Sequence, residues 1–310
     1  MTGISISVDA LSFSYGRTRA LDNVSFSIEP GVTGIVGVNG AGKTTLLKLI
    51  LGLLQPQKGR VLLDGLPVHP MSSDVRSRIG FVPEVPPVDR ELSVTEYTRF
   101  FKGLMDAYGF PTHDVIETLR VVGFASVEHR NTDRLSRGMM QRLSLAQALL
   151  APRDLLVLDE PMAHLDPLGR IDFRRLMQTR AAEGATIVIS THILADLEAC
   201  DSIMVLNHGR LLYSGPVMDL RRKYAVSEGC WTIETDQPEE LAAQLKSSLG
   251  GVRVEHVSDS VLTVRGGNAE MKRTLFQILS QDHTIEIHRF IDGLPTLEDL
   301  LLRILEAKRE

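Results

Sequence analysis

The sequence predicts an α/β fold in two parts: a mixed sheet with an antiparallel flap and a helical insert, then a small α/β domain. Three observations carry this. Leu155–Leu158 and Thr186–Ile189 are continuous, largely apolar runs without alternation, the pattern of parallel strands buried on both faces. The glycine-rich stretch Gly37–Thr44 joins the apolar run Val32–Val36 to a helical pattern that begins at Leu46. Beyond residue 228 the patterns run in the order β-α-β-β-α-β, the ferredoxin-like arrangement.

From the N-terminus, Ile4–Val8, Val24–Ile28, Val32–Val36 and Val61–Leu63 are short apolar or alternating runs between Gly, Pro and Asp, and read as strands, the first an edge strand. Ser93, with Glu96 three places on, is a capping box that opens a helix to Tyr108. A second helix is expected from Thr112 to Val122, and Ser136 reads as the N-cap of a third. Asp166 as N-cap, Pro167 at the first helical position and Gly184 past the end bracket another. Ile203–Leu206, Asn207-His208-Gly209 and Leu211–Tyr213 make a hairpin pattern. The composition breaks between Tyr224 and Gly229. There follow strand Trp231–Thr235, helix Glu239–Leu249, strands Val252–Val257 and Val261–Arg265, helix Glu270–Leu279, strand Ile285–Ile291 and a last helix capped by Thr296. The expected domains are 1–222, with a helical insert at about 84–151, and 228–310.

Among 310 residues, 43% are hydrophobic and 24% charged, which suits a globular chain with a sizeable core. The formal net charge of -5 argues against a sequence-blind grip on nucleic acid, so no such partner is expected. Cys200 and Cys230 have no metal-like spacing and read as free thiols in a reducing compartment. No run approaches the roughly 20 apolar residues that cross a bilayer. The first residues lack the basic start and apolar core of a secretion signal. A cytoplasmic chain is expected, unless something else holds it at a membrane.

Gly37-Val38-Asn39-Gly40-Ala41-Gly42-Lys43-Thr44, set between a strand and a helix, is a phosphate-binding loop. Its glycines let the backbone wrap an anion, and the amides of Asn39, Gly40, Ala41, Gly42 and Thr45 with the helix N-terminus supply positive dipoles. Lys43 would reach the outer phosphates of a nucleoside triphosphate, and the Thr44 hydroxyl would ligate Mg²⁺. Leu155–Leu158 then delivers Asp159 and Glu160 at a strand's C-terminal end, where ligands bind in open α/β sheets. Asp159 suits Mg²⁺, and Glu160 suits polarising the water that attacks the γ-phosphate.

Leu135-Ser136-Arg137-Gly138-Met139-Met140-Gln141 resembles the L-S-G-G-Q signature of the ATP-binding cassette (ABC) family, and the resemblance covers about Ile4 to Gly215. It implies a P-loop ATPase core. It also implies a head-to-tail dimer, homo- or heterodimeric, in which Ser136 and Gly138 of one subunit cap the ATP held by another. Tyr15 matches the aromatic that stacks on adenine, Asp166 the loop that communicates across the dimer, and His192 the switch histidine that contacts the γ-phosphate.

The chain departs from the family pattern in places: Arg137 replaces a signature glycine, Met139 and Met140 push the glutamine on to Gln141, and Ala163-His164 replaces a commoner Ser-Gly pair. Glu84 stands where glutamine is common; it can accept from water and ligate Mg²⁺, but cannot donate as an amide does. Glu84 and the ending Pro295-Thr296-Leu297-Glu298-Asp299 resemble the branch paired with ABC-2-type exporter membrane subunits. That branch implies integral-membrane permease partners, ATP-driven export and a peripheral place on the inner face of the cell membrane. The rival readings are an ABC ATPase not coupled to transport and a non-hydrolysing dimerisation module. Retention of Glu160 and His192 speaks against the second.

Overall fold

The computed structural model describes residues 2–69, 71–89, 91–124, 129–225, 230–250, 252–266, 269–281 and 285–293, with Leu297, Leu300, Leu301 and Ile304 beyond. The chain divides into two compact units, Met1–Gly215 and Pro216–Glu310. The division falls before the residue 222 at which the sequence pattern ends the first domain, because helix Val217–Ala225 groups with the second unit.

The first unit opens with a flap: β1 (Ile6–Tyr15), β2 (Thr18–Ile28), β4 (Lys58–Leu63) and the short β5 (Leu66–Pro67) form an antiparallel sheet in the order β2-β1-β4-β5. The N-terminal strand is thus interior, not the expected edge. A second sheet runs β10-β9-β3-β8-β7-β6, built from β3 (Gly31–Val36), β6 (Ile79–Val82), β7 (Leu155–Asp159), β8 (Thr186–Thr191), β9 (Ser202–Asn207) and β10 (Arg210–Pro216). From β9 to β6 its pairings are parallel. All of β7 and β8 is buried, as their unbroken apolar runs require.

Helix α1 (Lys43–Ile50) follows β3 and packs Leu46, Leu47, Leu49 and Ile50 into a core shared with β1, β4, β7 and β8. The short α2 (Ser73–Ser77) precedes β6. The insert holds α3 (Val94–Ala107), whose Ser93/Glu96 capping box is fully made, α4 (Val115–Val121), capped by Asp114, and α5 (Arg137–Leu149), whose N-cap Ser136 accepts from the Met139 amide at 3.2 Å. After β7, α6 (Pro167–Ala182) is capped by Asp166.

The second unit holds α7 (Val217–Ala225), β11 (Cys230–Thr235), α8 (Pro238–Ser248), β12 (Arg253–Ser258), β13 (Val261–Arg265), α9 (Ala269–Gln281) and β14 (Ile287–Gly293). Its antiparallel sheet runs β12-β13-β11-β14, the ferredoxin-like order. Trp231, Ile233, Leu241, Leu245, Leu262 and Leu275 fill its own core. The cap expected at Thr296 lies outside the described residues. Among those described, no helix is long and apolar enough to cross a membrane.

Candidate nucleotide site

The strand–turn–helix from β3 to α1 builds the floor of the site. Gly42 has φ +107°, and a Cβ there would stand 2.5 Å from the Ala20 carbonyl, so only glycine lets flap and loop meet. Gly40, at φ +80°, faces open space. Around this turn lies a cavity of about 520 Å³, lined by Tyr15, Thr18, Arg19, Ala20, Asn39, Gly40, Ala41, Gly42, Lys43, Thr44, Thr45, Glu84, Glu160, Ala163, His164 and His192.

Three side chains interlock inside it. Buried Lys43 donates through Nζ to the Gly37 carbonyl at 2.8 Å and pairs with Glu160 Oε1 at 3.3 Å. The other carboxylate oxygen of Glu160 meets His192 Nδ1 at 2.8 Å and accepts from the His192 amide at 3.3 Å. Glu160 itself has φ +48°, a left-handed backbone that costs a non-glycine residue about 1 kcal/mol or more. The Ser190 hydroxyl on β8 holds that turn: it accepts from the Glu160 amide at 2.9 Å and donates to Asp159 Oδ1 at 2.5 Å.

Gly37 and Asp159 do not line the cavity, nor do Ser136, Gly138 and Asp166. Each of the last three stands at a helix start instead. Ser136 and Asp166 are N-caps, and Gly138 abuts the loop after β7, where a Cβ would lie 2.5 Å from the His164 carbonyl. Sequence reasoning missed Thr18, Arg19 and Ala20, which the β1–β2 hairpin brings beside Tyr15 through the pair Tyr15↔Thr18. The turn Gly16-Arg17 could have signalled them. It also missed Ser190, whose role follows from the register Asp159↔Ser190, a parallel pairing that no local pattern encodes.

Of the three expected metal donors, Thr44 and Glu84 line the cavity, whereas Asp159 is buried and does not. Thr44, Glu84 and Asp159 offer hard oxygen atoms, and among the described residues no group of three His, Cys, Asp or Glu could hold a metal alone. That suits an ion that completes its shell with water and phosphate oxygens.

The sequence pattern of the family described as ABC transporter matches residues 21–163. Over 318 aligned residues the chain is 31% identical to a Nod factor export ATP-binding protein I of Rhizobium sp. (strain N33), with both chains covered in full. It is 38% identical over 209 residues to an uncharacterized ABC transporter ATP-binding protein of Nostoc sp. (strain PCC 7120), covering 66% of this chain and 62% of that one. A solved ATP-binding subunit of an ABC transporter superposes with a TM-score of 0.63 at 31% identity, over 71% of this chain and 92% of the other. Fold, loop cavity and relatives agree, and the chain belongs to the family of ABC transporter ATP-binding proteins.

Proposed function

We propose that the chain binds and hydrolyses ATP and thereby powers export through separate integral-membrane subunits. The observation that carries this is the Lys43–Glu160–His192 interlock inside the loop cavity. An arriving triphosphate competes for Lys43, whose ammonium then faces the outer phosphates. One Glu160 oxygen is thereby released to accept a proton from the attacking water, while His192, still oriented by the other oxygen, is aimed at the γ-phosphate. Tyr15 would stack on the adenine, and the loop amides from Asn39 to Thr45 would cradle the phosphates. Thr44, Asp159 and Glu84 would hold Mg²⁺, which when bound neutralises phosphate charge.

Two copies would pair head to tail, Ser136 and Gly138 of each closing the other's ATP and Asp166 lying at the shared face. This follows the family resemblance, and it accords with Ser136, Gly138 and Asp166 standing outside their own cavity. The full-length similarity to a Nod factor export ATP-binding protein supports export as the direction and a permease as partner. In this reading the chain sits at the inner face of the membrane through that partner, and the segment 228–310 serves dimer contact or regulation. Deleting it with no change in ATPase rate or pairing would remove that last role.

The decisive experiment is Glu160→Gln. Turnover should fall by about 100-fold or more, with ATP-dependent dimers trapped on a sizing column. An unaffected hydrolysis rate would sink the assignment. Coupling to transport is tested by fractionating cells that express the chain: retention on the membranes supports it, and recovery wholly in the soluble fraction would count against it.

A further inference from the structure

Arg142 lies on α5, one helical turn beyond Gly138, on the same face. Its side chain is only 28% exposed, yet its nearest carboxylate, Asp166, is 3.8 Å away. A pair of glycines leaves it room. A Cβ on Gly123, just past α4, would stand 2.5 Å from one terminal guanidinium nitrogen; a Cβ on Gly169, in the first turn of α6, would stand 2.5 Å from the other. The planar fork therefore fills a slot between the helical insert and the start of α6, a slot that exists because both positions lack side chains. Asp166 joins the same knot, capping α6 by accepting from the Gly169 amide at 2.7 Å. Gly138 supplies a second close approach to the same loop, at the His164 carbonyl.

Helix α5 thus grips residues 164–169 at two points a turn apart. We propose that Arg142 is a positioning residue that locks the signature-bearing start of α5 to this loop, so that the two move as one body. The inference rests on the head-to-tail reading above. In that dimer Ser136 and Gly138 serve the partner's nucleotide, while Ala163 and His164 line the chain's own cavity. The lock makes occupancy of one cavity felt at the other. A lysine cannot replace it, because a point charge on a flexible stem does not fill a planar slot between two glycines. Beside Arg142 lies a cavity of about 300 Å³, lined also by Arg120, Arg175 and Phe173, into which a displaced guanidinium has room to swing.

The test compares the ATP dependence of hydrolysis and of dimerisation for the wild type, Arg142→Lys, Arg142→Gln, Gly169→Ala and the double variant Arg142→Gln/Gly169→Ala, each confirmed folded by circular dichroism. In Arg142→Gln and Arg142→Lys, kcat should fall about tenfold with KM for ATP little changed, and cooperativity in ATP should be lost. Gly169→Ala pushes the fork aside and should give a similar loss, so the double variant should be no worse than the worse single one. Wild-type turnover in Arg142→Gln, full activity in Arg142→Lys, or losses that multiply in the double variant would overturn the lock alone. A wild-type chain that never pairs on ATP would overturn the functional reading and the lock with it.

Discussion

The side-chain amide of Gln141 donates to the Pro83 carbonyl at 3.3 Å and so ties the signature helix α5 to the loop that carries Glu84. Its carbonyl oxygen, Oε1, is buried without a hydrogen-bond partner among the described residues. The bond and the orphaned acceptor nearly offset each other. Gln141→Leu should therefore change stability by no more than about 1 kcal/mol, whereas Gln141→Glu, which buries a carboxylate against that carbonyl, should cost about 2–3 kcal/mol. Urea denaturation measures both, and the reverse ranking would contradict this account.

Replacing Lys43 with Met should abolish ATP binding, read by equilibrium dialysis. It should also weaken the nucleotide-free protein, because Lys43 and Glu160 are a buried pair. Removing one member of such a pair leaves an uncompensated charge and costs about 3 kcal/mol. The further change Lys43→Met/Glu160→Gln should recover most of that stability but no turnover. A Lys43→Met protein as stable as the wild type would show that the pair contributes nothing at rest.

Asp196, buried beside the switch segment, supplies a pH signature. Burial pushes its carboxyl above the ordinary range; Arg170 at 3.6 Å, the Thr191 hydroxyl at 3.4 Å and Arg174 pull it back. A carboxyl whose folded pKa exceeds its unfolded value of about 4 stabilises the fold most when protonated. That contribution is complete below the unfolded pKa and is lost as pH rises through the higher folded one. Asp196→Asn should remove this part of the slope, gaining on the wild type as pH rises. Denaturation midpoints measured across that window should converge at its acid end, and parallel curves would refute the shift.

Within the insert, the Tyr97 hydroxyl donates to Gln147 Oε1 at 2.9 Å, joining α3 to α5, and burial raises its pKa to about 12. Tyr97→Phe should cost about 1 kcal/mol. Below that value the two folded proteins should ionise the same number of tyrosines, and unfolding should give the wild type one more; ultraviolet titration of both, folded and unfolded, checks it.

Much of this architecture was legible locally. The phosphate loop is recognisable because strand, glycine turn and helix are contiguous, and the Ser93/Glu96 and Asp166/Pro167 caps because capping is satisfied within four residues. Legibility fails where partners are distant or the period is broken. The flap strands run well past Val8 and begin well before Val24, yet register shifts along β1 and left-handed Ala10 and Asn23 destroy the alternation that would have marked them. The helix expected from Thr112 begins only at Val115, because the Thr112 hydroxyl donates to Asp106 at 2.6 Å and Asp114 caps α4. The interlock of Lys43, Glu160 and His192 is written in no local pattern. It depends on β3, β7 and β8 lying side by side, which only the folded sheet supplies.

Trp231, wholly enclosed in the core of the second unit, is the single tryptophan of the chain. Its indole emission is therefore a built-in lamp seated in the core of the unit beyond Gly215. Melting followed by that light reports one half of the molecule, while far-ultraviolet dichroism reports both. Their divergence or coincidence tells directly whether the halves come apart together.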